Sequence, residues 1–277
     1  MATMTTEKSG YAPVNGLNIY YETHDRETKG VGEPLILLHG GLGSTAMFDN
    51  LAPRFAKTRQ VITVDLQAHG RTADIDRPMT CEGTADDIAA LMKYLQIDQA
   101  EVMGYSLGAA TALQIAIRHP DLVRKLVICS TAFKRDGMYP EVLAAMNQMG
   151  PATAEMMKPS PIYQTYARVA PKPTDFPVLV GKLADLLRRD YDWSKDVAAI
   201  KAPTMLVFGD ADAIRPAHIV EFFGLLGGGK KDGGWDGSGI SNARLAILPG
   251  VTHYDLLDSP LLEPVVGPFL DNESASG

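Results

Sequence analysis

The chain has 277 residues, 45% of them apolar and 21% charged, an ordinary globular composition long enough to close a core without disulfide or metal staples. Its 26 basic and 33 acidic side chains leave a formal charge of −7, so it lacks the positive field that nucleic acid or an anionic membrane requires. Cys81 and Cys129 stand far apart with no CxxC or Cys/His cluster; neither a disulfide framework nor a zinc site is expected, and a reducing compartment is the simplest reading.

The opening MATMTTEKSGYAPVNG has no apolar stretch flanked by positive charge and does not read as a secretory leader. The longest apolar runs cover a few residues, against about 20 needed to cross a bilayer. The expected location is therefore the cytoplasm, with no membrane partner. Residues 11–14 and 17–23, joined through Asn15-Gly16, read as a hairpin with a tight turn. Short apolar runs follow at 35–38, 61–64, 101–103, 126–128, 205–208 and 245–248. Near-continuous apolar runs mark strands buried on both faces, as in a parallel sheet covered by helices. Between them, residues 84–95 carry Ile88, Leu91, Met92 and Leu95 at helical spacing, and residues 107–117 carry Ala110, Leu113 and Ile117 in the same way. The alternation predicts an α/β fold, a doubly wound and mostly parallel eight-stranded sheet with right-handed crossovers.

Two segments break the rhythm. Residues 133–193 have no strong strand run and are rich in Pro and Met (Met138, Met146, Met149, Met156, Met157), which predicts several short helices inserted between two sheet strands of a core formed by 1–132 and 194–277. Residues 227–241, GGGKKDGGWDGSGIS, read as a flexible loop on the edge of the sheet away from the ligand side, with Trp235 as a local anchor.

Gly104-Tyr105-Ser106-Leu107-Gly108 follows a strand and opens a helix, the setting in which GxSxG forms a nucleophile elbow. The sharp turn requires residues nearly without side chains two before and two after the serine, and the helix N-terminus aims free N–H groups at the site. A serine hydroxyl needs a base. Of the six histidines, His119, His218 and His253 follow Ser106, and His119 comes directly after the helix the serine opens, which leaves His218 and His253 as candidates. His253 lies in a loop after the last strand and is the expected base; His218, beside Arg215-Pro216, reads as a surface or packing residue. The acid should orient the imidazole from another strand end. Gly209-Asp210-Ala211-Asp212 offers two carboxylates: Asp212 is preferred, while Asp210, directly after the strand, is better placed to accept from loop N–H groups. Ser130-Thr131-Ala132 offers none. The oxyanion donors are assigned to the Leu107 and Gly41 amides, the latter in His39-Gly40-Gly41-Leu42-Gly43, with His39 tying that loop down.

The stretches LILLHGG (35–41), VDLQAHGRT (64–72), GYSLG (104–108), GDADAIRP (209–216) and LPGVTH (248–253) resemble the α/β-hydrolase fold superfamily along nearly the whole chain. The resemblance implies Ser106, Asp212 and His253 as a triad and places 133–193 at the cap position. Ser106 at the elbow disfavours the aspartate-nucleophile relatives. Gly41 stands where many members carry a bulky residue, and Gln67-Ala68-His69-Gly70 departs from the usual RGHG, which points to a structural His69. The expected activity is a serine hydrolase cleaving a carboxylic ester or lactone, without cofactor or metal, on an apolar or bulky small molecule touched by Tyr105, Met146 and Met149. Carbon–carbon bond hydrolysis or cofactor-free perhydrolysis by the same triad, and a slow-turnover ligand receptor of the same fold, are the competing readings. A monomer or homodimer is expected.

Overall fold

Asn15 and Gly16 take φ of +49° and +82°. These are the backbone angles a two-residue turn needs to match the right-handed twist of paired strands. The turn joins β1 (Glu7–Val14) to β2 (Leu17–His24) as an antiparallel hairpin. The computed structural model describes residues 7–25 and 33–272. Residues 1–6, at the start of the stretch read for a leader, and 273–277, at the end of the expected core segment, lie outside them.

The hairpin is the edge of an eight-stranded sheet in the order β1-β2-β4-β3-β5-β6-β7-β8. Its other members are β3 (Leu35–Leu38), β4 (Val61–Val64), β5 (Ala100–Tyr105), β6 (Val123–Cys129), β7 (Thr204–Ala211) and β8 (Ala243–Thr252). β2 meets β4 antiparallel, and all pairings from β4 to β8 are parallel. Every residue of β3, β4 and β5 is buried. Because successive side chains alternate faces, Ile36, Leu38, Val102 and Ile128 join one core, and Leu35, Leu37, Met103 and Val127 join a second. Helices cover both faces, which explains why these strands read as unbroken apolar runs.

The helices are α1 (Ala52–Phe55), α2 (Cys81–Tyr94), α3 (Leu107–Arg118), α4 (Pro140–Gln148), α5 (Pro151–Met157), α6 (Pro161–Val169), α7 (Phe176–Arg188), α8 (Ser194–Ala199), α9 (Pro216–Leu225) and α10 (Leu262–Asp271). α2 and α3 contribute to the first core, α1 and α10 to the second. Thr80 caps α2 by accepting from Gly83 N–H at 2.9 Å. α4 to α7 occupy the break between β6 and β7, and α8 packs against α3 and α9.

Two features differ from expectation. β7 and β8 run past the apolar stretches to Ala211 and Thr252, because pairing resumes at Ala211 and Thr252 after an irregularity beyond Gly209. The glycine-rich segment after α9 enters β8 at its amino end, where Thr204 N–H donates to Asn242 O, so it lies at the sheet edge opposite Ser106. Trp235 in it is fully exposed and anchors nothing.

Candidate active site

β3 sits between β4 and β5, so the chain leaves β3 and β5 in opposite directions and opens a crevice at their carboxyl ends. The elbow stands there. Ser106 adopts φ +53°, ψ −114°, a strained conformation for a residue with a Cβ. The approach is too close for side chains: a Cβ on Gly104 would lie 2.1 Å from Gly108 O, and one on Gly108 2.1 Å from Leu38 O. Ser106 N–H donates to Cys129 O at 2.9 Å, fixing the turn to β6.

The loop after β8 brings His253 over the elbow, with Nε2 3.2 Å from Ser106 Oγ. Its Nδ1 faces Asp212 Oδ1 at 3.3 Å and Ser130 Oγ at 2.9 Å. Asp212 is buried and accepts N–H groups from Ile214 at 3.2 Å and Gly209 at 3.3 Å, and the hydroxyl of Ser130. Burial pulls its carboxyl pKa up, but hydrogen bonds from His253, Ser130 and Gly209 together hold it below the ordinary carboxylate value. Asp210 faces the other way: its Oδ1 accepts from Gly250 N–H at 2.9 Å and Val251 N–H at 3.3 Å, bracing the irregular crossing of β7 and β8. Thr252 N–H and Oγ1–H both donate to Asp255 at 2.7 Å, holding the same loop from its far end.

Gly41 and Leu107 line the cavity beside Ser106. Leu107 is the first residue of α3, whose N–H has no acceptor within the helix. The Gly41 loop is held by two buried histidines. Each ring donates from Nδ1 to a carbonyl, His39 to Gly40 at 2.7 Å and His69 to Gln67 at 2.8 Å. Each is thereby left with a bare Nε2, which accepts from Leu66 N–H and Leu42 N–H respectively, both at 3.1 Å. Burial pushes the two pKa values down, to about 3 for His39 and about 4 for His69, so both are neutral supports. His218 stacks on Phe133 with ring centroids 4.1 Å apart and accepts from Phe133 N–H. It is a packing residue.

Ser106 and His253 open onto a cavity of about 690 Å³ between the sheet edge and α4, α5 and α7. Met146, Met149, Met156 and Leu183 line it. Tyr105, expected to touch substrate, is not among the residues that line the cavity. It is buried under the His253 loop, where its hydroxyl donates to His253 O at 2.5 Å; the residue before the elbow tip ends a strand and points into the body. Lys182 on α7 ties the helical segment down, donating to Ile75 O and Arg77 O and pairing with Asp74 at 2.6 Å. Sequence reasoning missed Ser130, Tyr105 and Asp255 as supports of the imidazole. The signal was a polar Ser130-Thr131 directly after an apolar strand that ends on the same edge as Ser106. Among the described residues no three His, Cys, Asp or Glu side chains converge as a metal site, and no helix is long and apolar enough to cross a membrane.

Residues 33–167 match the family model of the alpha/beta hydrolase fold. The chain is 36% identical over 214 residues to a pimeloyl-[acyl-carrier protein] methyl ester esterase of Neisseria meningitidis, covering 67% of this chain and 77% of that protein. It is 31% identical over 152 residues to an sn-1-specific diacylglycerol lipase of Xenopus tropicalis, covering 53% and 46%. An enol-lactonase from Burkholderia xenovorans shares the fold, with a TM-score of 0.70 at 22% identity over 95% of this chain and all of that one.

Proposed function

The chain belongs to the α/β-hydrolase family and is an enzyme, and on that premise we propose that it is a serine hydrolase cleaving a carboxylic ester or lactone through an acyl-enzyme. The observation that carries this reading is the Ser106 Oγ to His253 Nε2 approach of 3.2 Å, at the floor of an apolar cavity. Ser106 attacks the carbonyl carbon while His253 Nε2 takes its proton, and the oxyanion that forms is met by the Leu107 and Gly41 amides. The tetrahedral intermediate collapses, the bond to the alcohol oxygen breaks, and His253 returns the proton to that oxygen. Water then attacks the acyl-serine with His253 again as base, releasing the acid and restoring Ser106. Asp212 keeps Nδ1 protonated and supports the imidazolium throughout.

Residues 133–193 act as the cap. A pocket of this size lined by methionine and leucine suits an apolar small molecule, because flexible thioethers adapt to irregular shapes. A panel of p-nitrophenyl esters and lactones of increasing chain length tests the proposal. Repeated turnover that favours apolar acyl groups is expected, with Ser106→Ala lowering kcat by about 10⁴-fold or more. Turnover unchanged in Ser106→Ala, or no repeated turnover across the panel, contradicts it.

A further inference from the structure

We infer that Ser130 is a positioning residue for the imidazole, its hydroxyl set between Asp212 and His253 so as to fix which ring nitrogen carries the proton. The inference rests on the triad reading and deepens it.

The hydrogen count leaves one arrangement. A carboxylate has no hydrogen to give, so the contact between Ser130 Oγ and Asp212 Oδ2 uses the hydrogen of the serine. Toward His253 Nδ1, 2.9 Å away, Ser130 Oγ can then only accept. Nδ1 must carry the proton, and Nε2 is left bare toward Ser106. The Nδ1–H is shared between Ser130 Oγ and Asp212 Oδ1, and the serine is the nearer acceptor, at 2.9 Å against 3.3 Å. Asp212 is meanwhile held at both oxygens, Oδ1 by Ile214 N–H and Oδ2 by Ser130 and Gly209 N–H. It cannot swing toward the ring without breaking one of them.

The backbone carries a second, independent mark. Ser130 is buried at the carboxyl end of β6 with φ +60°, a conformation that a residue with a Cβ rarely adopts, and its N–H is pinned to Val207 O at 3.0 Å. Glycine would hold that backbone more easily. A serine there gives up backbone ease for a hydroxyl, and the hydroxyl's partners are the acid and the base.

The pair Ser130→Ala and Ser130→Gly separates the hydroxyl from the backbone. Labelling of Ser106 by a fluorophosphonate probe reads nucleophile activation without knowledge of the natural substrate, and p-nitrophenyl butyrate supplies kcat and KM. Both variants should label about 10- to 100-fold more slowly than wild type, the range expected when a reacting group is slightly misplaced. Their kcat should fall by the same factor, with KM within about threefold. Ser130→Gly should melt higher than Ser130→Ala yet be no faster. Wild-type labelling rates in either variant, recovery of activity in Ser130→Gly alone, or a loss confined to KM would overturn the inference and leave the triad standing. If wild type is not labelled at Ser106, the triad reading fails and this inference falls with it.

Discussion

The two edges of the sheet bury charge in different ways. At the amino edge Arg59 pairs with Glu101 and with Asp271 of α10, while Lys125 donates to Leu270 O and Phe269 O at 2.7 and 3.1 Å and lies 3.7 Å from Glu101. These charges face one another and the end of a helix, and the network reaches solvent at the half-exposed Asp271. At the carboxyl edge Asp212, Ser130 and His253 form a largely buried chain that stops at Ser106 Oγ, on a cavity. Pairing is common to both; what separates them is whether the chain of hydrogen bonds ends on the protein's own charges and carbonyls or at a space a ligand can enter. Damage to the first network should appear as lost stability, and damage to the second as lost rate.

The sharpest test of that division is the pair of neighbouring carboxylates after β7. Asp212→Asn should lower kcat by about 10³- to 10⁴-fold, because the amide no longer holds the imidazole in the required tautomer. Asp210→Asn, which disturbs only acceptance from Gly250 and Val251, should cost less than about tenfold. Melting temperatures taken alongside should move little for Asp212→Asn, and a reversed order of activities would reassign the acid. At the other edge, Glu101→Gln leaves Arg59 and Lys125 short of a carboxylate and should lower Tm by roughly 10 °C, as breaking a buried ion pair does. Its kcat/KM per folded molecule should stay near wild type; a specific loss of rate there would dissolve the distinction between the edges.

Acid brings the two neutral histidines under the Gly41 loop into play. Unfolded, each ring takes up a proton near pH 6.5; folded, His39 and His69 resist protonation down to about 3 and about 4. Their packing is fully stabilising above pH 6.5 and is lost as the pH falls toward 4, on the order of 3 kcal/mol from each ring. His69→Gln keeps an acceptor for Leu42 N–H and should flatten the fall of Tm between pH 6.5 and 4, although it starts lower at neutral pH. A slope identical to that of wild type would show that the ring is not protected. The smallest effect is expected from shortening residues 230–239 at the amino edge, with kcat/KM within about twofold of wild type.

The sequence made much of this legible and hid specific parts. Apolar runs such as LILL and VITV announced doubly covered strands because burial on both faces removes alternation. GYSLG announced the elbow because only glycine fits where Gly104 and Gly108 meet neighbouring backbone. Asp210 and Asp212 could be ranked from their distance to the strand. Ser130 could not be found in that way: the end of β6 carries no carboxylate, and a hydroxyl between two other side chains leaves no spacing pattern along the chain. Tyr105 and Trp235 misled for a common reason. An aromatic residue invites a reading as a contact, whereas Tyr105 is turned into the body at a strand end and Trp235 stands fully in solvent.

Mass spectrometry of a rapidly quenched reaction with p-nitrophenyl butyrate bears most directly on the proposed chemistry. A butyryl group on the peptide containing Ser106, formed as fast as p-nitrophenol is released and absent from Ser106→Ala, is the predicted result. Steady p-nitrophenol release with the acyl group on another residue, or with none at any quench time while Ser106→Ala keeps pace, would contradict it.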